Sequence, residues 1–118
     1  MSEVIDYALA LVETIRATGV RATADVRTVN PPGVLVVPTP AREYDLLGDC
    51  FTATWTVALI GSGPGDLSDA RLLEDYAAVV IPLLPRVDTV EVASYVLPGL
   101  DPKPAYLCRF QTTVTEEQ

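Results

Sequence analysis

The sequence predicts an α+β fold in which two helices pack on one face of a mostly antiparallel sheet. Apolar residues recur at helical spacing in two segments, one at the N-terminus and one after residue 66. The remaining segments are rich in β-branched residues, and one of them alternates strictly over 50–60. The predicted order of elements is α-β-β-β-α-β-β, and a length of 118 residues suits one domain spanning 1–118.

The first helix is expected over 4–18. Its apolar residues fall on one side, and charged residues such as Glu13 and Arg16 fall on the other. Ser2 is a candidate N-cap. Gly19 stands where a residue in the left-handed conformation ends many helices.

Two short strands are expected next, at 20–24 and 34–37, on either side of Asn30-Pro31-Pro32-Gly33. Proline lacks a backbone donor, so this segment interrupts regular structure. The clearest strand follows at 50–60, where large apolar residues alternate with Thr52, Thr54 and Thr56. Because successive strand residues point to opposite sides, this strand has one apolar face and one threonine face.

The second helix is expected to begin at a cap formed by Asp66 or Ser68 and to reach about Ile81, with Asp69 on its solvated side. Strands at 89–97 and 105–114, joined by a proline-rich loop, complete the chain. We expect the core to contain Ile5, Leu11, Val12, Ile15, Val34, Val36, Phe51, Trp55, Val57, Leu73, Val80, Val92 and Phe110.

The composition argues against several classes of function. Sixteen acidic residues against eight basic residues give a net charge of −8, which disfavours specific nucleic-acid binding. The absence of histidine removes the commonest general base and metal ligand, so we expect no enzyme and no cofactor. No apolar run has the roughly 18 residues of a membrane span, and the acidic start is unlike a secretory signal.

The two cysteines, Cys50 and Cys108, both lie in predicted strands, where free buried thiols are the favoured interpretation. A disulfide between them and a reactive thiol are the alternatives. Arg109, the one basic neighbour of Cys108, points to the opposite face of its strand.

A glycine-rich loop, Gly61-Ser62-Gly63-Pro64-Gly65, joins the long strand to the second helix. Such loops hold phosphates on backbone amides at a helix N-terminus. Here the dinucleotide pattern lacks its last glycine, no lysine follows, and Asp66 and Asp69 would repel an anion. A plain turn is the favoured interpretation. The acidic residues also lack the spacing of a calcium loop.

The surface suggests contacts with other protein subunits. The threonine face, comprising Thr52, Thr54, Thr56, Arg109, Gln111 and Thr113, is polar but weakly charged, as a solvated sheet or a subunit contact would be. Segment 42–49 is predicted to be a mobile, charged loop without an obvious partner inside the chain. The candidate interaction residues are Arg42, Glu43, Tyr44, Asp45, Leu46, Leu47, Thr52 and Thr54.

The pattern resembles the tail terminator (tail-tube capping) proteins of long-tailed bacteriophages, especially those of actinobacterial hosts. The N-terminal helix with A-T-G-V-R-A at 17–22 and the stretch D-V-R-T-V-N-P-P-G-V-L-V at 25–36 contribute to the resemblance. The threonine-rich strand before a helix and the L-P-G-L-D-P-K-P-A-Y stretch at 97–106 also contribute. The resemblance covers nearly the whole chain and includes no catalytic residues.

The resemblance implies a structural virion protein that forms a ring, typically of six subunits, at the head–tail junction. The implied partners are other copies of the chain, the tail-tube protein and a head-side stopper or connector, with DNA passing through the lumen and assembly in the host cytoplasm. Two alternatives stay open. One is another connector or tail completion protein, and the other is a small ligand-binding domain that uses the Gly61–Gly65 loop.

Overall fold

The N-terminal half of the chain forms one helix and four strands. The computed structural model describes residues 3–44, 50–63 and 67–115. Helix α1 (Glu3–Arg16) is followed by strands β1 (Ala22–Thr23), β2 (Gly33–Val36), β3 (Ala41–Tyr44) and β4 (Cys50–Ile60), with a short 3-10 turn at Val26–Thr28. Gly19 has a φ of 92°, as expected for the residue that ends α1, and Arg16 donates to the Ala22 carbonyl at 2.8 Å.

The C-terminal half adds helix α2 (Leu67–Val80) and strands β5 (Val87–Tyr95) and β6 (Lys103–Thr115). The six described strands form one sheet in the order β1-β2-β4-β6-β5, and β3 pairs with β4 on the same side as β2. All pairs are antiparallel except β1 with β2, which are parallel. The α+β prediction is therefore confirmed, with one parallel pair that the sequence did not indicate.

Both helices pack on one face of the sheet, which we call the covered face. Its core joins apolar residues of α1 and α2 to alternate residues of β4, among them Phe51, Trp55 and Val57. Tyr7 of α1 lies 4.9 Å from Trp55 between ring centroids. A smaller cluster on the opposite face, around Leu35, Ile60 and Leu97, buries the other side of the sheet near the ends of β2 and β5.

Eleven of the thirteen predicted core residues are buried. Ile5 and Val92 are wrong, with exposed fractions of 41% and 77%. Val92 lies on the outermost strand of the sheet, where neither helix covers it. The strand pattern predicted burial because it does not show which strand lies at the edge.

Three local predictions also need correction. Residues 41–44 form strand β3 and not a loop, because they pair antiparallel with 51–54 of β4. Helix α2 begins at Leu67, so Ser68 lies inside its first turn, and Asp66 is outside the described residues. Asp69 is buried, with an exposed fraction of 6%, and not solvated.

Candidate interaction surface

Three strands form an arm at one end of the sheet. It consists of β3, residues 50–54 of β4 and residues 111–115 of β6, which remain paired through Cys50 and Thr115. Strand β5 pairs with β6 only between Lys103 and Phe110, so it stops short of the arm. The principal-axis extents are 48 × 26 × 25 Å, and β6, with 13 residues at about 3.3 Å each, is longer than either short dimension.

The covered side of the arm is built around Phe51. The ring of Tyr44 lies 5.2 Å from the Phe51 ring, and the Arg42 guanidinium lies 4.9 Å from the same centroid. Phe51 also belongs to the main core cluster and is only 3% exposed, whereas Tyr44 keeps 56% of its own surface exposed. Tyr44 thus has a partner inside the chain, contrary to the sequence prediction, and still offers an aromatic edge to solvent.

The opposite side of the arm carries the threonine face. Thr52 pairs with Thr113, Thr54 with Gln111, and Thr56 with Arg109. The three β4 threonines are half-buried, and Arg109 forms an ion pair with Glu91 of β5. No described helix packs on these residues, so the face is flat, polar and almost uncharged.

The structure therefore divides the predicted interaction residues between the two sides of one arm. Arg42 and Tyr44 lie with Phe51 on the covered side, and Glu43 pairs with Thr52. Thr52 and Thr54 lie on the threonine face. Asp45, Leu46 and Leu47 fall outside the described residues.

Sequence reasoning missed an exposed apolar strip on β5. Val90 and Val92 are 45% and 77% exposed, and Val96 just beyond the strand is 68% exposed. Both strand valines point to the covered-face side, because Val90 pairs with Cys108 and Val92 with Tyr106. The V-E-V alternation predicts one apolar strand face, but it does not show whether that face is covered.

The Tyr106 hydroxyl beside this strip donates a 2.8 Å hydrogen bond to Glu74 of α2. That bond raises the pKa of Tyr106, since removing the phenol proton would leave two negative groups in contact. Tyr106 is the cross-strand partner of Val92, so the bond joins α2 to the strand beside the exposed valines.

The glycine loop is held by the protein's own carboxylate. Asp69 accepts a 3.1 Å hydrogen bond from the Gly63 amide. A Cβ built on Gly63 would lie 2.7 Å from Asp69 Oδ2, which explains why glycine stands there. A phosphate approaching this amide would meet a negative oxygen already bonded to it, which weighs against the ligand-binding alternative.

A cleft of about 460 Å³ opens beside the end of α1 and is lined by Arg16, Arg21, Thr23 and Asn30 among others. Arg16 is already engaged there by Glu13 and by the Ala22 carbonyl. Within the described residues, every buried side-chain N or O atom has a hydrogen-bond partner, and no group of three acidic or cysteine residues could hold a metal ion.

Cys108 is a free, fully buried thiol, and burial raises its pKa to about 11. The sheet register excludes a disulfide with Cys50. Cys50 pairs with Thr115, seven positions along β6 from Cys108, which corresponds to about 23 Å. Disulfides require Cα atoms within about 7 Å.

Comparison of the chain with protein-family models, with curated proteins and with solved structures gave no match. In the part of the chain that the structure describes, neither helix is long and apolar enough to cross a membrane.

Proposed function

We propose that the protein is a structural subunit of a bacteriophage virion that assembles into a ring of six copies and caps the tail tube at the head–tail junction. The observation that carries the proposal is a sheet covered by helices on one face only and prolonged into an arm. Such a subunit buries enough apolar surface to fold by itself, and it leaves one sheet face and both outer edges free to contact neighbouring subunits.

The polarity of the two faces supports this arrangement. The core beneath α1 and α2 supplies the stability of the single subunit. The threonine face contributes nothing comparable, yet its flat, weakly charged surface suits contact with another protein layer. An exposed Tyr44 at the tip of the arm adds an aromatic anchor of the kind that dominates subunit contacts.

The charge supports a passive path for DNA through the ring. Six copies, each carrying −8, have a formal charge of −48. A field of that sign repels the phosphate backbone, so DNA would slide through the lumen without being held. A salt-sensitive, high-affinity complex between the assembled ring and duplex DNA would contradict this part of the proposal.

The proposal is tested with the purified full chain, alone and mixed with a tail-tube protein from a long-tailed actinobacterial phage. Electron microscopy and native mass spectrometry are expected to show rings, and added protein is expected to stop tube growth. A chain that stays monomeric and leaves tube growth unchanged would overturn the proposal. Binding to a head-side connector without any effect on tube growth would identify the alternative, another connector component.

A further inference from the structure

The sheet has two outer edges of different character. Strand β5 ends the sheet on one side, and from Thr89 to Tyr95 it carries neither the lysine nor the proline that commonly protects an edge. On the other side β1 covers the edge of β2, which leaves β3 as the exposed edge of the arm among the described residues. Each edge presents backbone N–H and C=O groups to a possible neighbour.

The directions of these two edges match each other. Strand β3 is antiparallel to β4, β4 to β6, and β6 to β5, so β3 and β5 run in opposite directions. A second copy placed beside the first, with its helices on the same side, therefore offers its β3 antiparallel to β5. We infer that β3 of one subunit pairs with β5 of the next, so that the sheet continues across the subunit boundary. This inference rests on the ring proposed above.

The side chains that would meet on the covered-face side are complementary. Strand β5 offers Val90 and Val92, and the incoming β3 offers Arg42 and Tyr44. Aromatic and β-branched residues form favourable cross-strand pairs. Arg42 contacts the Phe51 ring and makes no ion pair with a described carboxylate of its own chain, while Glu74 accepts a hydrogen bond from Tyr106, the cross-strand partner of Val92.

The stagger of the edges agrees with a closed ring. Strand β3 lies level with 111–114 of β6, and the middle of β5, residues 90–93, lies level with 105–108. Pairing β3 of one subunit with β5 of the next therefore displaces the second subunit along the strand direction by six residues, or about 20 Å. The four strands of one subunit are together about 19 Å wide. The resulting strand tilt of about 45° is close to that of closed barrels.

This register places Arg42 opposite Val92 and Tyr44 opposite Val90. Glu43 then faces Glu91 on the other side of the sheet, next to Arg109, which already forms an ion pair with Glu91. The arginine lies between two carboxylates in this arrangement and offsets their repulsion. A shift of two residues keeps the covered faces of the two subunits on the same side of the sheet, and it places Tyr44 opposite Val92.

Cysteine cross-linking tests the pairing in the full chain with Cys50→Ser. The double variants Arg42→Cys/Val92→Cys and Tyr44→Cys/Val92→Cys cover the two registers, and each single variant is a control. Under mild oxidation of assembled rings, one double variant is expected to give a ladder of covalent oligomers up to the ring size, while the single variants stay monomeric on non-reducing gels.

Several results would overturn the pairing while leaving the ring in place. Rings without a ladder in either double variant would place the contact elsewhere, and a covalent dimer of Val92→Cys alone would show two β5 edges meeting. As a second readout, Val92→Lys is expected to abolish rings without lowering Tm, whereas Leu9→Lys, at an exposed site on α1, leaves them intact. Failure of the unmodified chain to form rings, alone or with tube protein, would instead refute the proposed function.

Discussion

Strands β4 and β6 run through two environments, the helix-covered body and the arm. In the body, Trp55 and Phe110 have no exposed surface and stack 6.4 Å apart between ring centroids. In the arm, Phe51 of β4 is 3% exposed and contacts Tyr44 and Arg42 of β3, whose four residues are all exposed. The comparison teaches that one pair of long strands can supply both the stability of the subunit and a surface that its own core does not require.

The largest expected effect is in the body. Trp55→Ala removes a fully buried indole that contacts Tyr7, so we expect the free energy of unfolding to fall by about 3–5 kcal/mol. Urea unfolding followed by circular dichroism measures this change. A loss below about 1 kcal/mol would show that Trp55 is not central to the core.

Cys108 tests how completely the body excludes solvent. Its pKa is raised by burial from the ordinary 9.0 to about 11, so at pH 8 the native thiolate fraction is lower by about 100-fold. In the Cys50→Ser variant we expect a thiol reagent to react at least about 100-fold more slowly in the native state than in urea. Because the folded pKa lies above the unfolded one, the stability from the neutral thiol is present below about pH 9 and is lost as pH rises toward 11. Equal rates in both states would contradict the buried position.

Neighbouring threonines on β6 compare the two faces directly. The Trp55 indole N–H donates a 2.9 Å hydrogen bond to Thr112 on the covered side, so Thr112→Val leaves a buried donor without its acceptor. We expect a loss of about 1–3 kcal/mol. Thr113→Val, the matched control on the threonine face, is expected to change stability by less than about 0.5 kcal/mol. Equal effects of the two changes would mean that the faces do not differ as described.

The body was predictable from the sequence because its signals are local. Helical spacing indicated α1. Strict alternation over 50–60 indicated strand β4 and which of its residues face the core. The burial of Trp55 and Phe110 follows directly from those periods. The left-handed Gly19 is likewise a local requirement of the helix end.

The arm and the β5 edge were harder to predict because they depend on which strands become neighbours. Segment 41–44 is short and charged, so only its pairing with β4 makes it a strand. Val92 has the residue type of a core position, but its strand lies at the edge, beyond the reach of both helices. Asp69 is buried because the loop at Gly63 packs against it. These two residues are six apart in sequence, and the helical spacing of apolar residues does not predict such a contact.

The smallest expected change in stability comes from the arm. Tyr44 is 56% exposed, and its contacts with described residues are the Phe51 ring and the Arg42 guanidinium, so its loss removes little buried area. We expect the triple change of Tyr44, Leu46 and Leu47 to serine to lower the free energy of unfolding by less than about 1 kcal/mol. Assembly, in contrast, is expected to be lost.

Circular dichroism and electron microscopy of the same preparation separate these two effects. Leu9→Ser, at a site on α1 that is 52% exposed, is the control for removing an exposed apolar side chain outside the arm. A triple variant that unfolds would place the three residues in the core, and one that assembles normally would place the contact elsewhere. A folded triple variant without rings, beside a control with rings, would assign stability to the body and assembly to the arm.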